Sequence, residues 1–146
     1  MQQLPIAEVT KTFRFESSHQ LYGHNGKCAR VHGHSYIVEL TLRGNLIQEG
    51  SSEGMVVDFG DIKHVWFKLI DSVLDHAHLN DVLPVRSTAE NMCFWILNRL
   101  KQMSHLPVHK IRLWETASGS ATIWIGDQVG VEFPYLTKKE LEEEPV

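Results

Sequence analysis

The residues best suited to chemistry lie in a short segment, 28–34, which reads Cys-Ala-Arg-Val-His-Gly-His. In an extended chain the side chains of His32 and His34 project from the same face, about 6.5 Å apart at the backbone. Two imidazoles at this spacing can converge on one zinc ion, with metal–nitrogen distances of about 2.0–2.1 Å. His19, at the end of the preceding apolar stretch, is the best candidate for a third ligand. The three histidines therefore predict a metal site.

Three neutral imidazoles leave one position of a tetrahedral ion open to water or substrate, which is the arrangement of catalytic zinc. Two other interpretations stay open. Cys28 could supply a fourth ligand and close the site, which would make it structural, or the histidines could be surface residues of a polar loop. Lys27, Arg30 and the histidines surround Cys28 in the sequence, and a cationic setting of this kind favours the thiolate.

Two carboxylates have neighbours that give them a candidate role. Asp75 and His76 follow one another at a predicted helix end, where the chain can turn the carboxylate toward the imidazole, orient the ring and raise its basicity. Glu115 follows Trp114 at a predicted strand end and could bind the guanidine-like edge of a heterocycle through two hydrogen bonds. The alternatives are a loop-capping Asp75 beside solvated histidines and an exposed edge-strand Glu115.

The remaining histidines and cysteine have no assigned chemical role. His78 lies two residues from the Asp75–His76 pair and is left without a function. Cys93 lies in an apolar segment and is interpreted as a buried structural thiol. The other four histidines are interpreted as surface or loop residues: His24, His64, His105 and His109.

The apolar pattern predicts the elements that position these residues. Strands are expected over 6–15, 35–43, 108–115 and 121–126. Helical periodicity predicts a helix over 61–74, and a capping-box pattern, with Ser87 as the cap and Glu90 reaching back, begins a second helix. This ββααββ order favours an α+β fold in which two helices cover one face of a four-stranded antiparallel sheet. The two open edges of such a sheet favour a homo-oligomer formed by sheet extension.

Length and composition narrow the classes of protein. The 146 residues are 42% hydrophobic and 22% charged, as in one globular domain spanning 1–146, with an acidic tail over about 131–146. The net charge of −4 argues against binding to nucleic acid or a membrane surface. No stretch of 18 apolar residues and no signal-peptide pattern occurs in the sequence, so a cytoplasmic protein with reduced thiols is expected.

Taken together and in order, six motifs resemble the 6-pyruvoyl-tetrahydropterin synthase superfamily. They lie at residues 15–19, 28–34, 57–59, 74–80, 87–91 and 114–116, and the resemblance covers residues 8–126. The spacing of Cys28, His32 and His34 is similar to that of the 6-carboxy-tetrahydropterin synthase branch of queuosine biosynthesis. The pyruvoyl-forming branch typically has a longer gap between the cysteine and the first histidine of the pair.

The resemblance implies a tunnelling fold (T-fold), in which subunits pair edge to edge into a barrel. A trimer or a dimer of trimers is implied, with active sites at the subunit interfaces. The implied ligands of Zn²⁺ are His19, His32 and His34. The other implied site residues are the catalytic base Cys28, the partner dyad of Asp75 and His76 from a neighbouring subunit, and the pterin anchor Glu115.

The implied activity is that of a zinc-dependent lyase of the carboxy-forming branch. Its substrate would be 7,8-dihydroneopterin triphosphate, and its products 6-carboxy-5,6,7,8-tetrahydropterin, acetaldehyde and triphosphate. Lys27 and Arg30 would attract the triphosphate locally, because the net charge does not. The alternatives are the pyruvoyl-forming synthase on the same substrate, a non-catalytic module with a structural Cys–His₃ zinc site and, less favoured, a zinc hydrolase that needs no cysteine.

Overall fold

A computed structural model describes residues 3–132 of the chain. Nearly all of the predicted acidic tail, from residue 133 onward, lies outside the described residues. The four predicted strands and the two predicted helical regions occur in the predicted order, with a short strand and a short helix added between the helical regions, and the fold is α+β.

The sheet is built on a long antiparallel hairpin. Strands β1 (Ile6–His19) and β2 (His32–Asn45) pair along their full lengths, with Ile6 opposite Asn45 and His19 opposite His32. Strand β4 (Val108–Trp114) pairs antiparallel with β2, and β5 (Ser120–Trp124) pairs antiparallel with β4. The register therefore places the end of β1 beside the start of β2.

A fifth strand was not predicted. The two residues of β3 (Ala77–His78) pair in parallel with Ser17 and Ser18 of β1, so the sheet order is β3–β1–β2–β4–β5 and the sheet is mixed. A two-residue strand has no alternation that a sequence pattern could reveal.

The helices lie between β2 and β4 in the sequence. They are α1 (Phe59–Trp66), a π-helical turn (Phe67–Asp71), α2 (Ser72–Leu74), α3 (Leu79–Val82) and α4 (Ala89–Met103). Short 3₁₀ turns cover Lys27–Ala29 and Ile125–Gln128.

One hydrophobic core joins the helices to one face of the sheet. Alternating residues of β2 are fully buried, namely Tyr36, Val38, Leu40 and Leu42. Phe13 of β1 stacks on Trp66 of α1 with ring centroids 4.4 Å apart, which fixes this helix against the hairpin. The outward-facing neighbours of Phe13 on β1 are exposed, so one face of the sheet packs on the core and the other face is open.

The start of α4 differs by one residue from the sequence prediction. Thr88, and not Ser87, is the N-cap residue, and its hydroxyl accepts the amide hydrogen of Asn91 at 3.2 Å. The capping-box assignment of Ser87 was therefore wrong. Ser87 is instead buried and contacts His19, so the residue belongs to the candidate site.

Candidate active site

Three imidazoles meet where the hairpin strands come together. His19 ends β1, its register partner His32 begins β2, and His34 lies two residues further along β2. The ring centroids are 4.5 Å apart for His19 and His32, 4.9 Å for His32 and His34, and 5.1 Å for His19 and His34. One ligand nitrogen from each ring lies within 4.8 Å of the other two. We call these three residues the histidine cluster.

Backbone carbonyls orient two rings of the cluster. The Nδ1 of His19 donates to the carbonyl of Ser87 at 2.9 Å, and the Nδ1 of His32 donates to the carbonyl of Arg30 at 2.7 Å. A carbonyl only accepts, so each of these rings carries its hydrogen on Nδ1 when neutral and presents a lone pair on Nε2. Such hydrogen bonds fix the tautomer and orientation of metal-binding histidines.

The cluster leaves buried nitrogens without partners. The Nε2 atoms of His19 and His34 are buried and make no hydrogen bond within the protein. Burial lowers the pKa of both rings, against the opposing charge of Glu115, so both favour the neutral form that binds metal. Buried polar atoms are nearly always satisfied, and a metal ion would satisfy these. Three neutral imidazoles fit Zn²⁺ well.

Cys28 lies outside the histidine cluster. Among residues 3–132, the group of potential ligands that comes close enough to hold a metal contains the three histidines and not Cys28. Cys28 is a half-buried free thiol in the turn Lys27–Ala29, and its carbonyl accepts the amide hydrogen of Leu21 at 2.7 Å. This arrangement does not support the structural Cys–His₃ alternative, because the thiol is not in the ligand group.

Glu115 reaches the histidine cluster from the end of β4. Its Oε1 lies 3.5 Å from Nε2 of His19 and 3.6 Å from Nε2 of His34. Tyr36 lies beneath the cluster with its ring centroid 5.4 Å from that of His34, and burial raises the pKa of its phenol well above the usual range. Glu115 is thus the acidic side chain facing the cluster, which an isolated edge-strand glutamate would not be.

Asp75 and His76 form a hydrogen-bonded pair. Nδ1 of His76 lies 2.8 Å from Oδ2 of Asp75. The backbone amide and carbonyl of Glu16 in β1 each make a hydrogen bond with one residue of this pair. The amide of Glu16 donates to Oδ1 of Asp75 at 2.9 Å, and the amide of His76 donates to the carbonyl of Glu16 at 2.6 Å. His76 has a φ of 55°, in the left-handed region. This backbone conformation lets its ring face the carboxylate of the adjacent Asp75.

Hydrogen bonds and charge shift the pKa values of both members of this pair away from their ordinary values. The amide hydrogen bond from Glu16, followed by the interaction with His76, lowers the pKa of Asp75. The hydrogen bond to Asp75 and its negative charge raise the pKa of His76. The structure therefore brings together a carboxylate and an imidazole that holds its proton more strongly than a free histidine.

The pair does not lie inside the histidine cluster. The His76 side chain is 80% exposed and lines an open groove of about 510 Å³. The groove is also lined by His34 of the histidine cluster and by outward-facing residues of the hairpin strands, including Glu16, Ser18, Gly33 and Ser35. Residues of β1 alternate between faces, so Ser17 and His19 share the core face while Glu16 and Ser18 share the open one.

Two contacts of the site were missed from the sequence. Ser87 holds His19, but its position before a helix suggested a cap. Ser18 contacts Nδ1 of His78 through its hydroxyl at 2.9 Å, and no spacing rule links residues 60 positions apart.

None of the helices within the described residues is long and apolar enough to cross a membrane.

The long hairpin, the one-sided helical layer and the histidine cluster define this chain as a T-fold protein. The solved structure of the Caenorhabditis elegans 6-pyruvoyl tetrahydropterin synthase has the same fold, with a TM-score of 0.74 and 25% identity, over 85% of this chain and 99% of that one. A sequence model described as 6-pyruvoyl tetrahydropterin synthase matches residues 8–125. The chain belongs to this family, which confirms the resemblance.

Relatives from both branches match most of the chain. A 6-carboxy-5,6,7,8-tetrahydropterin synthase from Haemophilus influenzae is 35% identical over 130 residues, covering 75% of this chain and 92% of that protein. One from Synechocystis is 36% identical over 115 residues, covering 77% and 89%. A 6-pyruvoyl tetrahydrobiopterin synthase from Pongo abelii is 33% identical over 129 residues, covering 75% and 86%. The chain is thus an enzyme of a pterin-processing lyase family.

Proposed function

We propose that the protein is a 6-carboxy-5,6,7,8-tetrahydropterin synthase of queuosine biosynthesis. It would convert 7,8-dihydroneopterin triphosphate into 6-carboxy-5,6,7,8-tetrahydropterin, acetaldehyde and triphosphate. The observation that carries the proposal is the histidine cluster with orphaned buried nitrogens and with Cys28 left outside it. The short spacing between Cys28 and His32 and the names of the relatives at 35% and 36% identity support the carboxy-forming branch.

The proposed metal is Zn²⁺, with His19, His32 and His34 as its ligands. When bound, zinc would supply Lewis-acid chemistry by polarising an oxygen of the substrate. The chain's contribution is to bring three rings together and to fix the tautomers of His19 and His32 through the carbonyls of Ser87 and Arg30.

Cys28 is the proposed base, and Asp75 with His76 the proposed partner dyad. A cysteine outside the ligand set is free to accept, as its thiolate, a carbon-bound proton from the substrate. In the dyad Nδ1 of His76 faces Asp75, so Nε2 is the atom that would give or take a proton. The two amide hydrogen bonds with Glu16 would hold the ring in place during this transfer.

Glu115 is the proposed anchor of the pterin ring. A carboxylate can accept two parallel hydrogen bonds from the ring nitrogen and the amino group at the guanidine-like edge of a pterin. Glu115 is positioned at the end of β4 beside the histidine cluster, so a pterin bound there would have its side chain close to the metal.

A homo-oligomer with sites at subunit interfaces is the proposed assembly, as a trimer or a dimer of trimers. Two observations support it. The His76 side chain is 80% exposed on the open face, while His19 of the histidine cluster is fully buried on the core face, so one subunit does not enclose a complete site. Apolar side chains are also exposed on β1, whose outer edge pairs with β3 only at Ser17 and Ser18, and on the outer strand β5, with Ile6 at 54% and Trp124 at 42%. A cytoplasmic location accompanies this proposal.

The test is product analysis. Zinc-loaded protein would be incubated with 7,8-dihydroneopterin triphosphate and the products separated by mass spectrometry, with acetaldehyde trapped as a hydrazone. We expect 6-carboxytetrahydropterin and acetaldehyde in equal amounts. The pyruvoyl product without acetaldehyde would favour the second candidate, a 6-pyruvoyl-tetrahydropterin synthase, which the Pongo abelii relative supports. No turnover by protein that carries zinc would contradict both.

A further inference from the structure

A second imidazole lies beside the dyad and has no task in the proposed mechanism. His78 is on β3, two residues after His76, and its register partner on β1 is Ser18. The Ser18 hydroxyl lies 2.9 Å from Nδ1 of His78. If the hydroxyl donates to Nδ1, the neutral ring carries its hydrogen on Nε2 and can donate from there.

The segment that carries His78 is fixed on both sides. Before it, Ala77 pairs with Ser17 of β1. After it, the side chain of Asn80 makes two hydrogen bonds with the backbone of Gln20, accepting from its amide at 2.9 Å and donating to its carbonyl at 2.8 Å. Ordering the segment in advance reduces the entropy cost when a ligand binds to the ring.

His78 and His76 line the same open groove. Two other polar side chains of the groove already have partners within the protein. The Ser35 hydroxyl donates to the Glu16 carboxylate at 2.7 Å, and the Ser17 hydroxyl donates to the carbonyl of Leu74. His78 is also outside the metal-ligand group found among residues 3–132, so it remains available for a ligand in the groove.

We propose that His78 is a further substrate-binding residue, which donates a hydrogen bond from Nε2 to an oxygen of the substrate side chain. This inference rests on the proposed function, because it places the side chain of the pterin substrate in the groove next to His76. Both the hydroxyl and the phosphate oxygens of that side chain accept hydrogen bonds from an imidazole. Ser18 acts as a positioning residue that sets the tautomer of His78.

The test compares substitutions of His78 whose side chains place a polar atom near Nδ1 or near Nε2 of the original ring. Asn in place of His78 retains a polar atom near Nδ1 and can still bond Ser18, whereas Gln places an amide near Nε2. In a Cys28→Ala background, which should bind without turnover, we expect His78→Ala and His78→Asn to raise the Kd of 7,8-dihydroneopterin triphosphate about 5- to 10-fold. His78→Gln should stay within about 2-fold of the parent.

The second arm uses 7,8-dihydroneopterin, which lacks the phosphates. A loss confined to the triphosphate identifies a phosphate oxygen as the acceptor, and an equal loss for both compounds identifies a hydroxyl. His64→Ala, an exposed histidine on α1, is the control and should leave both Kd values unchanged. Metal content and thermal unfolding, measured for each variant, would show that it is folded and loaded.

Two results would overturn the inference. One is unchanged binding of both compounds in His78→Ala and His78→Asn. The other is a His78→Gln variant that binds as weakly as His78→Asn. Either leaves the proposed function intact, since the parent still binds. A parent that carries zinc and binds neither compound would instead contradict the proposed function itself.

Discussion

The histidines of the site differ in the group that accepts a hydrogen bond from Nδ1, and this difference determines what each ring can do. A neutral carbonyl holds Nδ1 of His19, and burial is the main reason that the pKa of this ring is lowered. A carboxylate holds Nδ1 of His76, and it raises the pKa of an exposed ring. The first arrangement suits a metal ligand and the second suits a proton donor.

Replacing Cys28 separates the catalytic from the structural interpretation of the thiol. In Cys28→Ala we expect zinc to remain at the level of the wild-type protein, because the thiol is not in the ligand group, while turnover falls at least about 100-fold. Metal analysis by mass spectrometry and product formation measure the two effects. His34→Ala is the matched control and should lose the metal. Loss of zinc from Cys28→Ala would support the closed Cys–His₃ site.

The charge of Asp75 determines the pH at which His76 loses its proton. Because the folded-state pKa of His76 is raised, the ring stays protonated to a higher pH than a free histidine. Asp75→Asn removes the charge, so the pKa of His76 should fall toward its ordinary value. NMR titration of the ring hydrogens measures this shift directly. An unchanged pKa in Asp75→Asn would show that the pair seen here is not formed in solution.

The sequence predicts pairs of site residues where the two partners are near in sequence. The spacing of His32 and His34 and the adjacency of Asp75 and His76 were enough to nominate them as pairs. Contacts that depend on tertiary packing could not be found in this way. The carbonyl of Ser87 reaches His19 from 68 residues away, and Ser18 meets His78 across 60. Local patterns contain no information about such distances.

At the level of elements, the helix before the dyad contains a change of phase. Val73 lies at the spacing that would continue the buried residues Leu69 and Ile70, but Leu74 is the fully buried residue and Val73 is only partly buried. The π-helical turn Phe67–Asp71 accommodates one extra residue, which shifts the later side chains around the helix axis. Asp75 follows α2, and its amide donates a hydrogen bond to the carbonyl of Asp71, the last residue of this turn.

Arg99 of α4 stabilises this turn from inside the core. The residue is buried, its Nε donates to the carbonyl of Leu69 at 2.6 Å, and its guanidinium lies 5.5 Å from the ring centroid of Trp95. Arg99→Met keeps similar bulk but leaves that carbonyl without this donor. We expect the free energy of unfolding in urea to fall by about 1–3 kcal/mol.

A matched variant tests the origin of this loss. Lys101→Met removes a cation of similar length from an exposed position on the same helix, and it should change the free energy of unfolding by less than about 0.5 kcal/mol. Equal stability of Arg99→Met and the wild-type protein would mean that another group satisfies the carbonyl of Leu69. The turn would then not depend on Arg99.

At the level of the whole molecule, the described chain has one core and a sheet in which the outer edges of β1 and β5 are unpaired over most or all of their length. A single apolar cluster includes residues from β1 through β4, which is why we propose that residues 1–146 form one domain. Only Ser17 and Ser18 of β1 pair with β3, so the rest of that strand's outer edge has no strand neighbour among the described residues. Alternation predicted the four longer strands of the sheet, but it contains no information on the two-residue strand β3 or on what covers the outer edges.

Shared sites between subunits would give a quantitative result in mixed oligomers. His34→Ala should lack a working metal site and His76→Ala a working dyad, so each variant alone should be inactive. In a ring where each site takes its metal ligands from one subunit and its dyad from the next, co-expression in equal amounts restores about one quarter of the sites. Activity per subunit of the whole co-expressed mixture measures this fraction, and purification through two different tags shows that hybrids are present. Hybrids that assemble but stay inactive would show instead that cluster and dyad act within one subunit.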